Sequence, residues 1–95
     1  MDIDTLFQVI CDRRDNPSEK SYTASLLAQG EDRVLQKIGE ESVEIILAAK
    51  GQGNARLIEE VADLTYHMLV VLAYYHLTPD DIRAELERRH KPRAS

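Results

Sequence analysis

The fold is decided by residues 31–75, which read EDRVLQKIGEESVEIILAAKGQGNARLIEEVADLTYHMLVVLAYY. Apolar residues recur at every third or fourth position in both halves of this stretch, a spacing typical of amphipathic α-helices. A turn with two glycines, Gly51–Gly53, separates the halves. The pattern predicts one helix over Glu31–Ala49 and another from about Ala55 to Tyr75, with Asn54 as its N-cap. Because the turn is short, we expect the two helices to be antiparallel neighbours.

The flanking segments extend the helical pattern. We predict a first helix over Asp4–Arg14, then a short apolar turn over Ala24–Ala28. A last helix is predicted to begin after Thr78, as its N-cap, and to end near Arg89. Since no segment alternates with period two, the predicted fold class is all-α, a helical bundle of four main helices. We expect a single domain over residues 1–95, ordered from about residue 4 to residue 90.

Oligomerisation is expected because the end of the second long helix is apolar on almost every side. The stretch Met68–Tyr75 reads MLVVLAYY. A chain of this size buries only about 60 to 65% of the surface that its unfolded form exposes, so one small core leaves apolar surface to cover. We therefore expect a homodimer or a higher homo-oligomer to complete the bundle.

Composition excludes several classes of protein. The 95 residues carry 12 Lys and Arg against 17 Asp and Glu, a formal net charge of −5, which disfavours a nucleic-acid partner. The single cysteine, Cys11, allows no internal disulfide or cysteine zinc site. The most apolar window is far shorter than the roughly 20 residues of a membrane helix. With an acidic amino terminus in place of a secretory signal, the expected location is the cytoplasm, with no membrane partner.

Two pairs of carboxylates are the strongest candidates for chemistry. Glu41 and Glu44 lie three residues apart on the first long helix, and Glu60 and Asp63 on the second. At about 100° per residue each pair projects from one side of its helix, and Glu41 falls beside the apolar stripe rather than opposite it. Acids packed this closely repel each other unless a cation lies among them, and oxygen ligands favour Mg²⁺ or Mn²⁺. The alternative is a solvated helix flank, with Lys37 and Arg56 as ion-pair partners.

A family resemblance rests on motifs spread along most of the chain. They are Ser21-Tyr22-Thr23-Ala24, Gly30, Arg33, Gln36-Lys37, Gly39-Glu40-Glu41, Val43-Glu44, Ala48-Ala49, Glu60, Asp63-Leu64, Tyr66-His67, Leu69-Val70 and Leu72. In these residues the sequence closely resembles the phosphoribosyl-ATP pyrophosphatase family of histidine biosynthesis. That family belongs to the α-helical, MazG-like nucleoside triphosphate pyrophosphohydrolases, whose signature is E-x-x-E, a spacer and E-x-x-D.

The resemblance implies an enzyme that hydrolyses phosphoribosyl-ATP to phosphoribosyl-AMP and pyrophosphate, the second step of histidine biosynthesis. It also implies Mg²⁺, or Mn²⁺ in its place, held by Glu41, Glu44, Glu60 and Asp63. The metal would polarise the phosphoryl group and lower the pKa of a bound water. Glu41 and Glu44 are the candidate catalytic residues, and Glu41 is favoured as the group that orients this water or takes its proton.

Substrate contacts are expected from nearby cations and hydroxyls. The candidates are Lys37, Arg33, Lys20, Ser21, Tyr22 and Thr23. Their alternative roles are simple solubility for the cations and turn chemistry for the hydroxyls, with Thr23 capping the short segment that follows. Glu40 and His67 are predicted to orient the metal-binding acids, although His67 is equally interpreted as a core histidine.

Three other functions remain open on sequence grounds. A housecleaning pyrophosphohydrolase that acts on free or damaged nucleotides would share the fold and the acids. A di-iron bundle would need Glu-x-x-His pairs on two helices, and the only such spacing here is Glu87 with His90. A non-catalytic dimerisation module would use the apolar second helix as its interface and would bind no divalent metal.

Overall fold

The structure, a computed structural model, describes residues 1–91. It consists of five helices: α1 (Ile3–Asp15), α2 (Tyr22–Ala28), α3 (Glu31–Gly51), α4 (Asn54–Tyr74) and α5 (Pro79–Arg89). No strand occurs among these residues, so the all-α prediction is confirmed. The four predicted main helices are α1, α3, α4 and α5, and α2 is an additional short one. Residues 92–95 of the predicted domain lie outside the described residues.

The α3–α4 hairpin is the centre of the fold, and its two helices share the most extensive interface in the structure. The reversal depends on Gly53, whose φ of 86° lies in the left-handed region that only glycine adopts without strain. Gly53 is therefore the N-cap of α4, and the prediction that Asn54 caps this helix is wrong. Asn54 is instead its first helical residue, because the tight turn needs the positive φ more than it needs a side-chain cap.

The hydrophobic core is small and unites four of the helices. Its buried members are Ile10, Leu26, Val34, Leu69, Val70 and Ala73. Fully burying a valine, leucine or isoleucine side chain stabilises a protein by about 1.5 to 3 kcal/mol. Since α1 and α2 both pack against the hairpin in this cluster, the core helps to fix where α2 lies relative to α4.

The α2 helix begins earlier than the sequence pattern indicates. Ser21 has an extended backbone and its hydroxyl accepts a hydrogen bond from the Ala24 backbone N–H, so Ser21 is the N-cap. The predicted apolar turn over Ala24–Ala28 is the body of this helix. Thr23 does not cap it, because Thr23 is already helical and buried. The early start brings the side chains of Tyr22 and Thr23 onto a helix that packs against α4.

The last helix follows the prediction closely. Thr78 is the N-cap of α5 and forms a reciprocal capping box with Asp81, and Pro79 occupies the first turn. Arg83 donates two hydrogen bonds to the Asp4 carboxylate, at 2.9 and 2.8 Å, which ties α5 to the start of α1. The pair is exposed and therefore contributes little to stability, about 0 to 1 kcal/mol.

An apolar groove remains uncovered between α3, α4 and α5. It has a volume of about 550 Å³, and its apolar lining is Leu35, Ile38, Leu64, Met68, Val71, Leu72 and Ile82. Met68 is 52% exposed. The radius of gyration, 15.5 Å, exceeds the value of about 12 Å expected for a compact domain of this length. Beside its small core, the chain is thus more extended than a compact domain and leaves this apolar groove uncovered.

Among residues 1–91, none of the helices has the length and apolar character needed to cross a membrane.

Replacing Leu26 by alanine tests whether the core anchors α2. Leu26 is only 2% exposed, so Leu26→Ala should lower the free energy of unfolding by about 2 to 5 kcal/mol, measured by urea denaturation. The matched control is Leu77→Ala, at a position 45% exposed between α4 and α5, where we expect a loss below about 1 kcal/mol. Equal losses in the two variants would contradict the packing described for α2.

Candidate metal centre

Three carboxylates from the hairpin converge on one point. Glu41 on α3 and Glu60 and Asp63 on α4 each offer an oxygen, and these oxygens lie within 4.8 Å of one another. Glu41 is 8% exposed and Glu60 is 2% exposed, whereas Asp63 is open to solvent. The spacing of three residues along α4 places Glu60 and Asp63 on one side of that helix, facing Glu41. We call Glu41, Glu60 and Asp63 the acidic triad.

Glu44 lies beside the triad without joining it. The pocket around the acids has a volume of about 420 Å³ and is lined by Lys37, Glu40, Glu41, Glu44, Arg56, Glu60 and Asp63. All four predicted metal ligands therefore share one pocket, although only three bring their oxygens together. Glu44 is half-buried and follows Glu41 by one turn of α3.

Two cations enter this pocket and pair with its acids. The Lys37 ammonium lies 3.5 Å from a Glu41 oxygen, and the Arg56 guanidinium lies 2.5 Å from a Glu60 oxygen. Arg56 also pairs with Glu59, on the solvent side, at 2.8 Å. These are the ion pairs that the solvated-flank interpretation predicts. Glu41 and Glu60 are nevertheless buried, so these two acids are not part of a solvated flank, whereas Asp63 is exposed.

Glu40 acts on the triad through Lys37. Its carboxylate accepts hydrogen bonds from Lys37 at 3.3 Å, from Gln36 at 2.9 Å and from Arg33 at 3.3 Å. The hydrogen bond from Lys37 lowers the pKa of the Glu40 carboxyl, which is therefore charged at neutral pH. Glu40 thus holds the Lys37 ammonium at the edge of the pocket, next to Glu41. Arg33, a predicted substrate contact, is engaged by the same carboxylate.

The charge on Glu60 is disfavoured by its surroundings. Burial raises the pKa of the Glu60 carboxyl, and the hydrogen bond with Glu41 raises it further, while Arg56 opposes both effects. A pKa above the ordinary value means that the folded chain resists ionising this group. A divalent cation among the triad would relieve this repulsion, and a set of hard oxygen donors suits Mg²⁺ or Mn²⁺. The residues present therefore fit the metal that the sequence predicts.

His67 connects the triad to α2. Its Nδ1 lies 2.8 Å from the Asp63 carbonyl oxygen and 3.9 Å from a Glu41 carboxylate oxygen, and its Nε2 lies 2.9 Å from the Tyr22 hydroxyl. A carbonyl oxygen can only accept, so Nδ1 carries the proton. Partial burial raises the pKa of the Tyr22 phenol, which keeps its proton and can donate it to Nε2. The ring is thus both a buried core histidine and a neighbour of the predicted ligands.

The remaining hydroxyls of the Ser-Tyr-Thr segment are used structurally. Ser21 caps α2, and the Thr23 hydroxyl forms a hydrogen bond with the Tyr66 hydroxyl on α4. Beside them is an open pocket of about 390 Å³, lined by Arg13, Ser18, Lys20, Ser21, Tyr22 and Thr23. Lys20 is exposed there, in a position that suits its predicted contact with substrate.

The structure adds two residues to those predicted for the site and its neighbourhood. Arg13 lies near the end of α1 and reaches the pocket of Lys20 because the core packs α1 beside α2. No local pattern in the sequence indicates this contact. The Tyr66 hydroxyl is hydrogen-bonded to Thr23. In the sequence, the position of Tyr66 next to His67 in the Tyr-His motif is the one feature that points to a role near the site. Arg56 was recognised as an ion-pair partner, and its spacing of four residues before Glu60 supports that role.

In the metal-free protein, Glu60→Gln should raise the melting temperature at neutral pH. The pKa of Glu60 is higher in the folded chain than in the unfolded one. The wild-type protein therefore loses stability as the pH rises from the pKa of the unfolded chain through that of the folded chain. Below the ordinary value of 4.5 both states hold the proton, and the advantage of the variant should disappear. Thermal denaturation followed by circular dichroism, with EDTA present, measures both arms.

The matched control is Glu59→Gln, which removes the exposed partner of Arg56 and leaves the pocket intact. This variant should give no stabilisation at neutral pH. A lower melting temperature for Glu60→Gln would show instead that the ion pair with Arg56 outweighs burial and the repulsion from Glu41.

Comparison with known proteins assigns the chain to a family. The family profile described as phosphoribosyl-ATP pyrophosphohydrolase matches residues 3–90. The phosphoribosyl-ATP pyrophosphatase of Pelotomaculum thermopropionicum is 51% identical over 89 residues, which cover 94% of this chain and 91% of that protein. That of Geotalea daltonii is 48% identical, over 92% of this chain and 82% of the relative. That of Saccharolobus islandicus is 49% identical, over 94% of this chain and 95% of the relative. The resemblance seen in the motifs is thereby confirmed, and the chain belongs to the phosphoribosyl-ATP pyrophosphohydrolase family.

Proposed function

We propose that this chain hydrolyses phosphoribosyl-ATP to phosphoribosyl-AMP and pyrophosphate, with Mg²⁺ held by the acidic pocket, and that it does so in the cytoplasm as a homodimer. Membership of the family makes the chain a hydrolase of the histidine biosynthesis step. The observation that carries the metal-dependent mechanism is the convergence of Glu41, Glu60 and Asp63 within 4.8 Å. Their residue types and spacing match the signature of helical pyrophosphohydrolases.

The acidic triad is the proposed metal-binding set. When bound, Mg²⁺ supplies charge neutralisation for the phosphates and lowers the pKa of a coordinated water. Asp63 is the exposed member and lies where a substrate phosphate can approach from solvent. Glu41 and Glu60 form the buried floor of the site, where their positions are fixed by the packing of α3 against α4.

Glu44 is the proposed proton acceptor. The sequence pattern favours Glu41 for this role, but Glu41 is one of the three converging acids, whereas Glu44 shares the pocket without converging. A carboxylate that is free of the metal and close to it can take a proton from the attacking water. The fourth acid of the signature therefore has a different task from the other three.

Local cations explain how an acidic chain binds a polyanionic substrate. Lys37 and Arg56 lie within the acidic pocket, and Arg13 and Lys20 lie in the pocket beside α2. A phosphate that reaches the metal would replace the carboxylates as partner of Lys37 or Arg56, which donate charge-assisted hydrogen bonds to either group. Arg13 and Lys20 offer a second point of attachment for the rest of the nucleotide.

The test is pyrophosphate release from phosphoribosyl-ATP in the presence of Mg²⁺. Glu41→Gln and Asp63→Asn should each lower kcat/KM at least about 100-fold, because both remove a ligand while preserving side-chain volume. Chelation of the metal should abolish release by the wild-type protein. Circular dichroism confirms that each variant keeps its helices.

The control variant is Glu59→Gln, whose side chain is 62% exposed and lies outside the pocket lining. It should keep wild-type turnover. Full activity in Glu41→Gln or Asp63→Asn would refute the metal assignment. Comparable release from ATP would move the protein to the housecleaning pyrophosphohydrolases, and release from neither nucleotide would leave the helical binding module.

The homodimer is proposed from the uncovered apolar groove. The groove is lined almost wholly by aliphatic side chains on α3, α4 and α5, and the chain is more extended than a closed domain of its length. A second copy offers the same apolar surface, and pairing the two by a twofold axis would cover both. Such a pairing would bring hydrophobic stabilisation in proportion to the apolar area removed from water.

Met68→Lys places a charge in this groove and should convert the dimer to a monomer. In sedimentation velocity, the wild-type protein should have about twice the 10.8 kDa mass of one chain. The control is Leu77→Lys, at an exposed apolar residue that does not line the groove and should leave the mass unchanged. A monomeric wild-type protein would contradict the proposal.

A further inference from the structure

Two hydroxyl contacts join α2 to α4, and one of them ends at the acidic triad. Thr23 is hydrogen-bonded to Tyr66, and Tyr22, the preceding residue, is hydrogen-bonded to His67 at 2.9 Å. Tyr66 and His67 are also neighbours in the chain. Only the Tyr22 contact continues further, because the opposite nitrogen of His67 lies against Asp63 and Glu41.

The His67 ring is held in one orientation by the groups around it. It is 7% exposed and lies edge-on to the rings of Tyr66 and Tyr22, with centroid distances of 5.2 and 5.9 Å. Both ring nitrogens are within hydrogen-bond distance of a partner. In the neutral ring one nitrogen donates and the other accepts, so the partner of one nitrogen determines the state of the other.

We infer that Tyr22 is a positioning residue for the acidic site, acting through His67 rather than by touching substrate with its hydroxyl. The Asp63 carbonyl places the proton of His67 on Nδ1, and Tyr22 donates to the lone pair left on Nε2 and so holds the ring in this orientation. The Nδ1 N–H is directed at the Asp63 carbonyl, with the Glu41 carboxylate 3.9 Å away. The inference rests on the proposed function, because it assigns Tyr22 a role in holding two of the proposed metal ligands.

The opposite tautomer would disturb both acids. With the proton on Nε2, the lone pair of Nδ1 would face the Asp63 carbonyl oxygen at 2.8 Å, and two acceptors at that distance repel each other. The ring would also turn a lone pair toward the negative charge of Glu41. Moving the ring away from this contact would shift the α4 turn that carries Asp63 or open space beside Glu41.

A direct contact between the Tyr22 hydroxyl and substrate would have a cost that the positioning role avoids. To bind a phosphate, the hydroxyl would have to leave His67, and the buried Nε2 would lose its only hydrogen-bond partner among the described residues. An unsatisfied buried polar group costs about 1 to 3 kcal/mol. The ring of Tyr22, which is 53% exposed, still lines the pocket of Lys20 and can contact a nucleotide by its face.

The decisive variant is Tyr22→Phe, which removes the hydroxyl and keeps the ring. In the metal-free protein, ¹H–¹⁵N correlation spectra of the histidine rings should show a shifted Nε2 signal for His67, because this nitrogen has lost its hydrogen bond. In the same variant the dissociation constant for Mn²⁺ alone, measured by electron paramagnetic resonance, should rise about 10-fold. In the His67→Gln background, Tyr22→Phe should add no further loss of Mn²⁺ affinity, because the connecting ring is gone.

Thr23→Val is the matched control. It removes the companion contact between α2 and α4 and leaves the Tyr22 contact in place. We expect a lower melting temperature with unchanged Mn²⁺ affinity and an unchanged Nε2 signal of His67. If Thr23→Val weakens Mn²⁺ binding as much as Tyr22→Phe does, loosening of α2 explains the effect and the positioning role is refuted.

The outcomes also separate this inference from the proposed function. Wild-type Mn²⁺ affinity in Tyr22→Phe, combined with a raised KM for phosphoribosyl-ATP, would overturn the inference in favour of direct substrate contact. If the wild-type protein binds no Mn²⁺, or if Glu41→Gln binds it as well as the wild type does, the proposed metal site fails and the inference fails with it.

Discussion

The close approach of the Glu41 and Glu60 carboxyls is the constraint on which the rest of this structure depends. Two acids on facing helices repel each other, and burial strengthens that repulsion because little water screens it. The packing of α3 against α4 nevertheless holds them together, with Val34 and Val70 almost fully buried in the core that these helices share. The hydrophobic core thus stabilises an arrangement of charges that would separate in a free chain.

Two cations in the pocket partly offset this repulsion between the acids. Lys37 is shared between Glu40 and Glu41, and Arg56 between Glu59 and Glu60. In the metal-free protein these two cations neutralise part of the negative charge of the pocket. In the proposed mechanism they also bind the phosphate oxygens of the substrate. A site of this kind gives up stability in the metal-free protein in return for a preformed set of oxygen ligands.

The sequence predicts those parts of the fold and site that depend on regular spacing. The periods of the long helices, the terminal signal at Thr78 and the projection of Glu41 beside the apolar stripe all follow from local pattern. The same patterns do not predict the start of α2 or the cap of α4, because these depend on the backbone conformations of Ser21 and Gly53. The Tyr22–His67 contact joins residues 45 positions apart, and no local rule reports such a pairing.

The position of the triad within the hairpin also bears on the order in which the protein folds. All three acids lie between residues 41 and 63, in two helices joined by a tight turn. Structure formed by residues close in sequence has a small loop-closure cost and tends to form early. Docking of α1 and α2 brings more distant segments together, including the contact of Tyr22 with His67. The acidic triad therefore forms early, within the α3–α4 hairpin. Tyr22 reaches His67 only later, when α1 and α2 dock on that hairpin.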